Sequence, residues 1–366
     1  MKDHFALAGA LAAAALAAAL MLPAPEARAE PYLAVRTGLK CANCHVDPSG
    51  GGLRTPFGDA YGSTQLPRRM IGGGKAAAWT GAVNDYLRVG GNFRSDARYV
   101  DTPDADATSD FAISRATLYG AFTPIPDLLT VYVDEQVAPG GTTARQAMGL
   151  LRPGNGRYTV KVGKFFLPFG LRLQDDTAFI RQVTGINFDT PDTGVELGLE
   201  LPKWSAQAAV TNGTAGGNEI DRGKQTSLSA SYVRQRWRLG ASLNVNNAAL
   251  GDRRMGGVFA GLKTGPIAWL AEYDRVTDET AQGDLDMDVS LLEGNWNLAA
   301  GQNLKVTYEF FDPPGEDDER ERYSLVWELA PFQLLQTRIG IRSYNGIPQI
   351  PADNRDEFFA ELHIYF

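Results

Sequence analysis

Cys41-Ala42-Asn43-Cys44-His45 is the stretch of this sequence whose residue types and spacing carry a specific chemistry. Two thiols three positions apart, with an imidazole directly after the second, form the attachment pattern of a c-type haem. Each thiol can add to one vinyl group of the macrocycle, and the next residue then lies under the iron as a nitrogen ligand. The chain has 2 cysteines in all, so no thiol remains for a disulfide or a cysteine-rich zinc site. A Cys-x-x-Cys redox pair is the competing reading, but it lacks the βαβ context of a thioredoxin-like motif.

The residues around the motif suit a flat, charged cofactor. Gly50-Gly51-Gly52 lets backbone approach it closely. Arg54 is placed to pair with a haem propionate, a bidentate charge-assisted contact, or else it is a solvated surface charge. A carbonyl in the Val46–Pro48 turn is expected to accept the imidazole N–H of His45. Candidates for a second axial ligand are few. Beyond residue 29 the histidines are His45 and His363, and the methionines are Met70, Met148, Met255 and Met287. Met70 is the soft ligand nearest in sequence, His363 is the other candidate, and an open sixth position is the third option. The bland alternatives are a linker methionine packed on a rim and a histidine bonded to a carboxylate.

Those residues must be delivered and held. Residues 1–29 read as a secretory signal: Lys2, an Ala/Leu-rich run from Phe5 to Leu22, and Ala27-Arg28-Ala29 as a small-x-small cleavage site. The competing reading, a membrane-spanning helix, has an apolar core of marginal length. Residues 30–80 form the haem segment, ending in a linker at Gly72-Gly73-Gly74. About fifty residues with so few aliphatic side chains cannot bury a haem alone. A further wall is needed.

Residues 81–366 supply it by repeating one unit, about ten residues of alternating apolar positions and then a turn. Trp237/Leu239/Ala241/Leu243/Val245 and Phe358/Ala360/Leu362/Ile364/Phe366 are clear cases, with polar residues between them. Short turns, such as Pro202-Lys203 and Gln235-Arg236, alternate with long polar loops at 95–110, 139–143, 166–191, 212–223, 247–254, 276–283, 312–320 and 345–354. That alternation predicts an all-β fold: an antiparallel transmembrane β-barrel of about 16 strands, both chain ends at the short-turn, periplasmic side. A mean hydropathy of −0.22 agrees, because lipid-facing and lumen-facing residues average out. Trp204, Trp237, Tyr273, Trp327 and Tyr365 are expected in the interfacial girdles. In the last strand Glu357, Phe359, Glu361, His363 and Tyr365 should face the lumen. The net charge of −8 argues against a nucleic-acid partner, which needs concentrated Lys and Arg. The run Glu316-Asp317-Asp318-Glu319 is either a solvated loop or a lure for metal cations.

Val162-Gly163-Lys164-Phe165-Phe166-Leu167-Pro168-Phe169-Gly170 resembles the strand-to-loop passage of phosphate-selective-type porins. This implies that loop 166–191 folds into the lumen, where Arg172 and Arg181 would line a constriction opposed by Asp175 and Asp176; an ordinary surface loop is the alternative. The whole arrangement, signal, Cys41–His45 motif, short linker and barrel, resembles the outer-membrane cytochrome–porin fusions of iron-oxidising bacteria. At residue level the resemblance rests on Cys41, Cys44 and His45. It implies one covalent haem c held by Cys41, Cys44 and His45, to which the residue reading above adds Arg54 at the macrocycle and Met70 and His363 as candidate iron ligands. It also implies electron transfer across the outer membrane, with lipid, a periplasmic cytochrome and an extracellular metal ion or mineral as partners. Iron oxidoreductase activity is left open. Two other readings stand beside it: a diffusion porin whose haem segment is a gate or redox sensor, and a peroxidase-like site at an open sixth position.

Overall fold

In β9 (Trp237–Asn246) Leu239 and Leu243 are 56% and 57% exposed, whereas Ser242 and Asn244 between and beside them are 2% and 0% exposed. An extended chain sends successive side chains to opposite faces. Here the apolar face is outside and the polar face inside, the inverse of a water-soluble protein. The same inversion runs through β1 (Leu87–Asp101), β2 (Thr108–Ile125), β3 (Leu129–Ala138), β4 (Thr143–Leu151), β5 (Tyr158–Phe165) and β6 (Asp192–Glu200). It continues in β7 (Trp204–Thr211), β8 (Gln225–Val233), β10 (Arg253–Thr264), β11 (Ile267–Thr280) and β12 (Gly283–Ala299). The array ends with β13 (Gln302–Asp312), β14 (Arg320–Phe332), β15 (Leu335–Asn345) and β16 (Asp356–Tyr365). These describe the barrel in a computed structural model covering residues 30–72, 79–219, 221–249, 251–315 and 318–366. The expected signal, Gly73 and Gly74 of the linker, and Glu316 and Asp317 of the acidic run lie outside the described residues.

Each strand pairs antiparallel with its sequence neighbour, and β1 closes on β16 with Asn92 opposite Tyr365. The sixteen strands form a closed barrel, so no sheet edge is left unpaired. A closed barrel with an apolar outer band is one of the two backbone solutions for crossing a bilayer. Trp204, Tyr232 and Trp237 cluster at the short-turn end, tilted against one another with ring centroids 4.9 and 5.5 Å apart. Tyr308 and Tyr323 pair at the other end, 5.1 Å apart. Tyr365 departs from the expected girdle: it is 3% exposed, inside the lumen, as its alternation with Ile364 and Phe366 demands. Two of the expected long loops are mostly strand. β1 and β2 extend into 95–110, and β11 turns into β12 within two residues. Polar residues beyond the bilayer still satisfy their backbone by pairing.

The short-turn half of the lumen is filled. Residues 30–72 form a plug at the short-turn end, with helices α1 (Pro31–Thr37), α2 (Cys41–Cys44) and α3 (Pro56–Thr64). Pro31 starts α1 and Gly38 ends it at φ +70°; a Cβ there would meet the Gln235 backbone at 2.8 Å. The plug is pinned around the barrel wall. Glu30 pairs with Lys305 at 3.2 Å, Lys263 donates to the Arg36 carbonyl at 2.8 Å, and Arg238 donates to the Leu39 carbonyl at 2.6 Å. Lys40 pairs with Glu200, Arg152 donates to the Val46 carbonyl at 2.6 Å, and Arg88 pairs with Asp59 at 2.7 Å. The deepest pin is Lys161 on β5. Its ammonium, fully buried, contacts Asp47 at 2.7 Å, Glu196 at 2.9 Å and Ser49 at 2.7 Å.

The loop between β5 and β6 folds inward, as expected, and carries helix α4 (Phe179–Thr184). Gly170 N–H donates to Ser242, Leu171 N–H to Glu272, and Phe179 N–H to Glu309, at 2.9, 2.7 and 3.0 Å. The expected opposition of charges is a set of staples. Asp175 bonds Arg322 and Arg342 at 3.0 and 3.2 Å, and Asp176 bonds Arg181 and Arg115 at 2.6 and 3.1 Å. Burial works to raise both carboxyls, but the guanidiniums outweigh it, holding Asp175 well below the usual range and Asp176 at about 2.

Two expectations follow. Lys161→Met leaves Asp47 and Glu196 buried without their cation, at a cost of about 3–5 kcal/mol. Trypsin should then cut within residues 30–72 of the folded variant while sparing the wild type; equal protection would refute the pin. Depressed carboxyls stabilise the docked loop fully above their free value of about 4 and lose it as pH falls toward 2. Conductance in a planar bilayer should therefore hold its neutral-pH value down to about pH 4 and rise below it. A rise already at pH 6 would contradict the staples.

Candidate haem-binding cleft

Helix α2 is a single turn. Asn43 closes it by accepting the Lys40 N–H at 2.9 Å, and the His45 N–H returns to the Cys41 carbonyl at 3.0 Å. The thiols at the first and fourth positions of this turn are both unpaired and half-buried. The chain then leaves in extended form at His45 and folds back. His45 bridges Arg54, Val46 N–H donates to the Leu53 carbonyl at 2.9 Å, and Thr55 N–H donates to the Cys44 carbonyl at 2.9 Å.

The glycines in this return are steric requirements at two points. Gly51 has φ +84°, and a Cβ on it would meet the Phe188 ring at 2.5 Å. Gly58 in α3 would meet the Cys44 carbonyl at 2.1 Å. One admits the inward loop over the motif; the other lets α3 press against α2.

A cleft opens between plug, loop and barrel wall. Cys41, Cys44, His45 and Arg54 line it from the plug, Arg172 and Phe188 from the loop. Arg238 and Phe259 close it from the strands. Burial pushes the Cys41 thiol up, with Arg238 and Arg172 pulling the other way, and burial also raises Cys44. Both thiols are therefore held protonated at neutral pH. Burial, reinforced by Arg54, lowers His45 to about 4. Its imidazole is neutral at pH 7, the form that binds a metal. The Nδ1 atom of His45 is buried and has no hydrogen-bond partner among the described residues.

In the Val46–Pro48 turn, two of the three carbonyls are engaged elsewhere. Val46 and Asp47 give their carbonyls to Arg152 and to the Gly50 N–H. The carbonyls beside the imidazole belong to Gly51 and Gly52.

As a donor set the cleft fits a haem c: two free thiols on one turn, a neutral buried imidazole directly after them, and arginines at its walls. The structure brings Cys41, Cys44, His45 and Arg54 together. It does not bring Met70, which is 52% exposed and outside the cleft lining. The neighbouring Ile71 is tied to Gln333, its N–H donating at 3.0 Å, and this holds Met70 on the rim. His363 is 4% exposed and faces the lumen as the register requires, but lines a separate recess. Its Nδ1 lies 2.6 Å from Gln336 Oε1 and 3.4 Å from Gln174 Nε2. Among the described residues lining the cleft, His45 is the sole imidazole and there is no thioether. Phe188 and Arg238 were not legible as site residues: one sits in an irregular loop, and the other looks like any lumen-facing arginine.

No protein-family model matches the chain, and no curated protein matches it either. Solved structures do. OmpTdeltaL8, a loop-deletion mutant of an outer membrane protein of Vibrio cholerae, aligns with TM-score 0.59 at 15% identity, over 77% of this chain and 100% of that one. An anion-selective porin from Comamonas acidovorans gives 0.62 at 11%, over 76% and 99%. The outer membrane channel DcaP of Acinetobacter baumannii gives 0.55 at 12%, over 76% and 97%. At these identities the likeness establishes the fold: a closed antiparallel barrel of the outer-membrane porin type.

Proposed function

We propose that this chain is an outer-membrane electron conduit: a porin-type barrel carrying one covalent haem c in its periplasmic mouth and moving electrons between an extracellular donor or acceptor, iron among them, and a periplasmic carrier. The observation that carries the reading is the seating of the Cys41–His45 motif in a purpose-built wall rather than in a free linker. When bound, the haem supplies a one-electron ferrous–ferric couple. The chain's own residues do the rest. Cys41 and Cys44 provide two tethers on one helical turn, and His45 offers a neutral imidazole. Phe188 covers the motif, and the barrel excludes lipid.

The inward loop is a thin septum. Gly170, Leu171 and Phe188 line the cleft, while Leu167 and Ile186 of the same loop line a cavity of about 620 Å³ toward the long-loop end. A carrier on one side and a redox partner on the other would be divided by that one loop. A diffusion porin needs an open lumen, and the plug and loop occupy this one.

In liposomes, the loaded protein should pass electrons from an external reductant to an enclosed acceptor, and Cys44→Ala should abolish this while the barrel still assembles. Full conduction by that variant would sink the conduit. The cleft's ligand set makes a second expectation. Met70→Leu and His363→Gln should both leave the reduced optical spectrum unchanged, whereas His45→Ala should alter it. A spectral shift in either of the first two would return that residue to the iron.

A further inference from the structure

Glu272 and Asp274 lie two residues apart on β11, so both side chains enter the lumen. They are 5% and 1% exposed. The strands beside them offer no polar side chain. Gly257 and Val289 stand opposite Asp274 in the two flanking ladders, and Phe259 and Leu291 stand opposite Glu272. The inward loop covers them from the lumen side, where the Leu171 N–H donates to Glu272 at 2.7 Å. Two glycines make room for the carboxyls. A Cβ on Gly170 would meet Glu272 Oε1 at 1.8 Å, and one on Gly257 would meet Asp274 Oδ1 at 1.8 Å. The niche is shaped around these two groups.

It holds no cation among the described residues. The groups that act on Glu272 are the Asp274 carboxyl and the Leu171 N–H, and the group that acts on Asp274 is the Glu272 carboxyl. The charged side chains nearest along the flanking elements are engaged elsewhere. On β10 Arg253 holds Asp278 at 2.8 Å, and on β12 Glu293 faces Lys305 at 3.6 Å. In the loop Arg172 and Arg181 donate to the Leu167 and Leu173 carbonyls at 2.7 and 3.0 Å. Both oxygens of Asp274 are buried, and no N–H or O–H among the described residues reaches them. An ionised carboxylate only accepts hydrogen bonds. Two of them in contact away from water repel, and one proton between them turns the repulsion into a hydrogen bond.

We propose that Glu272 and Asp274 form a proton-binding site, in which one shared proton keeps the inward loop closed against β11. The loop is the wall that can give way. The flanking strands are fixed by their ladders, whereas the loop meets this stretch through single bonds, Leu171 N–H to Glu272 and Gly170 N–H to Ser242. Loss of the proton leaves two negative charges in an apolar niche, and lifting the loop admits the water that solvates them. Proton binding is thereby coupled to closure of the lumen. The site uses no residue of the Cys41–His45 motif, so it stands or falls separately from the electron conduit.

Infrared spectra of the purified protein in detergent read a protonated carboxyl directly, by a C=O stretch separate from the carboxylate bands. Near neutral pH the wild type should show one such band that is missing from both Glu272→Gln and Asp274→Asn. Either amide keeps the shape of the group it replaces and donates an N–H to the remaining carboxylate, so the loop stays docked without a titrating proton. In planar bilayers, wild-type conductance should rise as pH is taken from about 7 to about 9, while both variants keep their neutral value. A band lost from both variants, with the same alkaline rise in all three proteins, would keep the proton and overturn its hold on the loop. An acid band that neither variant loses would overturn the site. If sodium or calcium ions then raised the unfolding temperature of the wild type and not of the variants, the niche would belong to a metal cation instead.

Discussion

A closed barrel whose lumen is plugged must find a partner for every charge its strands turn inward, and this constraint governs the molecule. Alternation sends Lys161, Lys305, Arg322 and Glu309 into a space that water does not occupy freely. An unpaired ion there would cost several kcal/mol. The plug and the inward loop supply partners beside those the wall gives itself, such as Glu309 to Arg322. Asp47 meets Lys161, Glu30 meets Lys305, and Asp175 meets Arg322. The segments without regular strand structure are thus the ones fixed by the most specific contacts. The Cys41–His45 motif inherits its position from these pairs rather than from a core of its own.

That origin explains what was legible in the sequence. Period-two alternation reports which face of a strand meets lipid, so strand number, closure and the inward direction of His363 could all be read from it. Alternation is silent about where a strand ends once it leaves the bilayer, and β12 accordingly runs through Gly283–Ala299. The chemistry proposed for Cys41–His45 was read from its spacing and from the signal that precedes it. Its surroundings were not legible, because cleft walls come from residues more than a hundred positions away, such as Phe188 and Arg238. Met70 looked close because it is close along the chain, but the tie between Ile71 and Gln333 leaves it at the rim. Arg172 and Arg181 were rightly placed in the lumen. Their work there is different: Arg181 fastens the loop, and Arg172 faces the cleft.

The proposed route for electrons follows from the same packing. A porin's inward loop narrows a passage for solutes. Here the equivalent loop has the plug's motif against one face and the outward cavity against the other. In that proposal the porin framework thins an insulating wall instead of opening a hole.

The distribution of the plug's fastenings has a mechanical corollary. They fall on β1, β3, β5, β6, β9, β10, β13 and β14, nearly the full circumference. A segment held on every side has no hinge. Loosening one contact leaves the others in register, with nothing to rotate about, so little displacement results. Release of such a body is all-or-none, with a threshold in place of a graded response. The mouth of this barrel behaves as a cork rather than a flap.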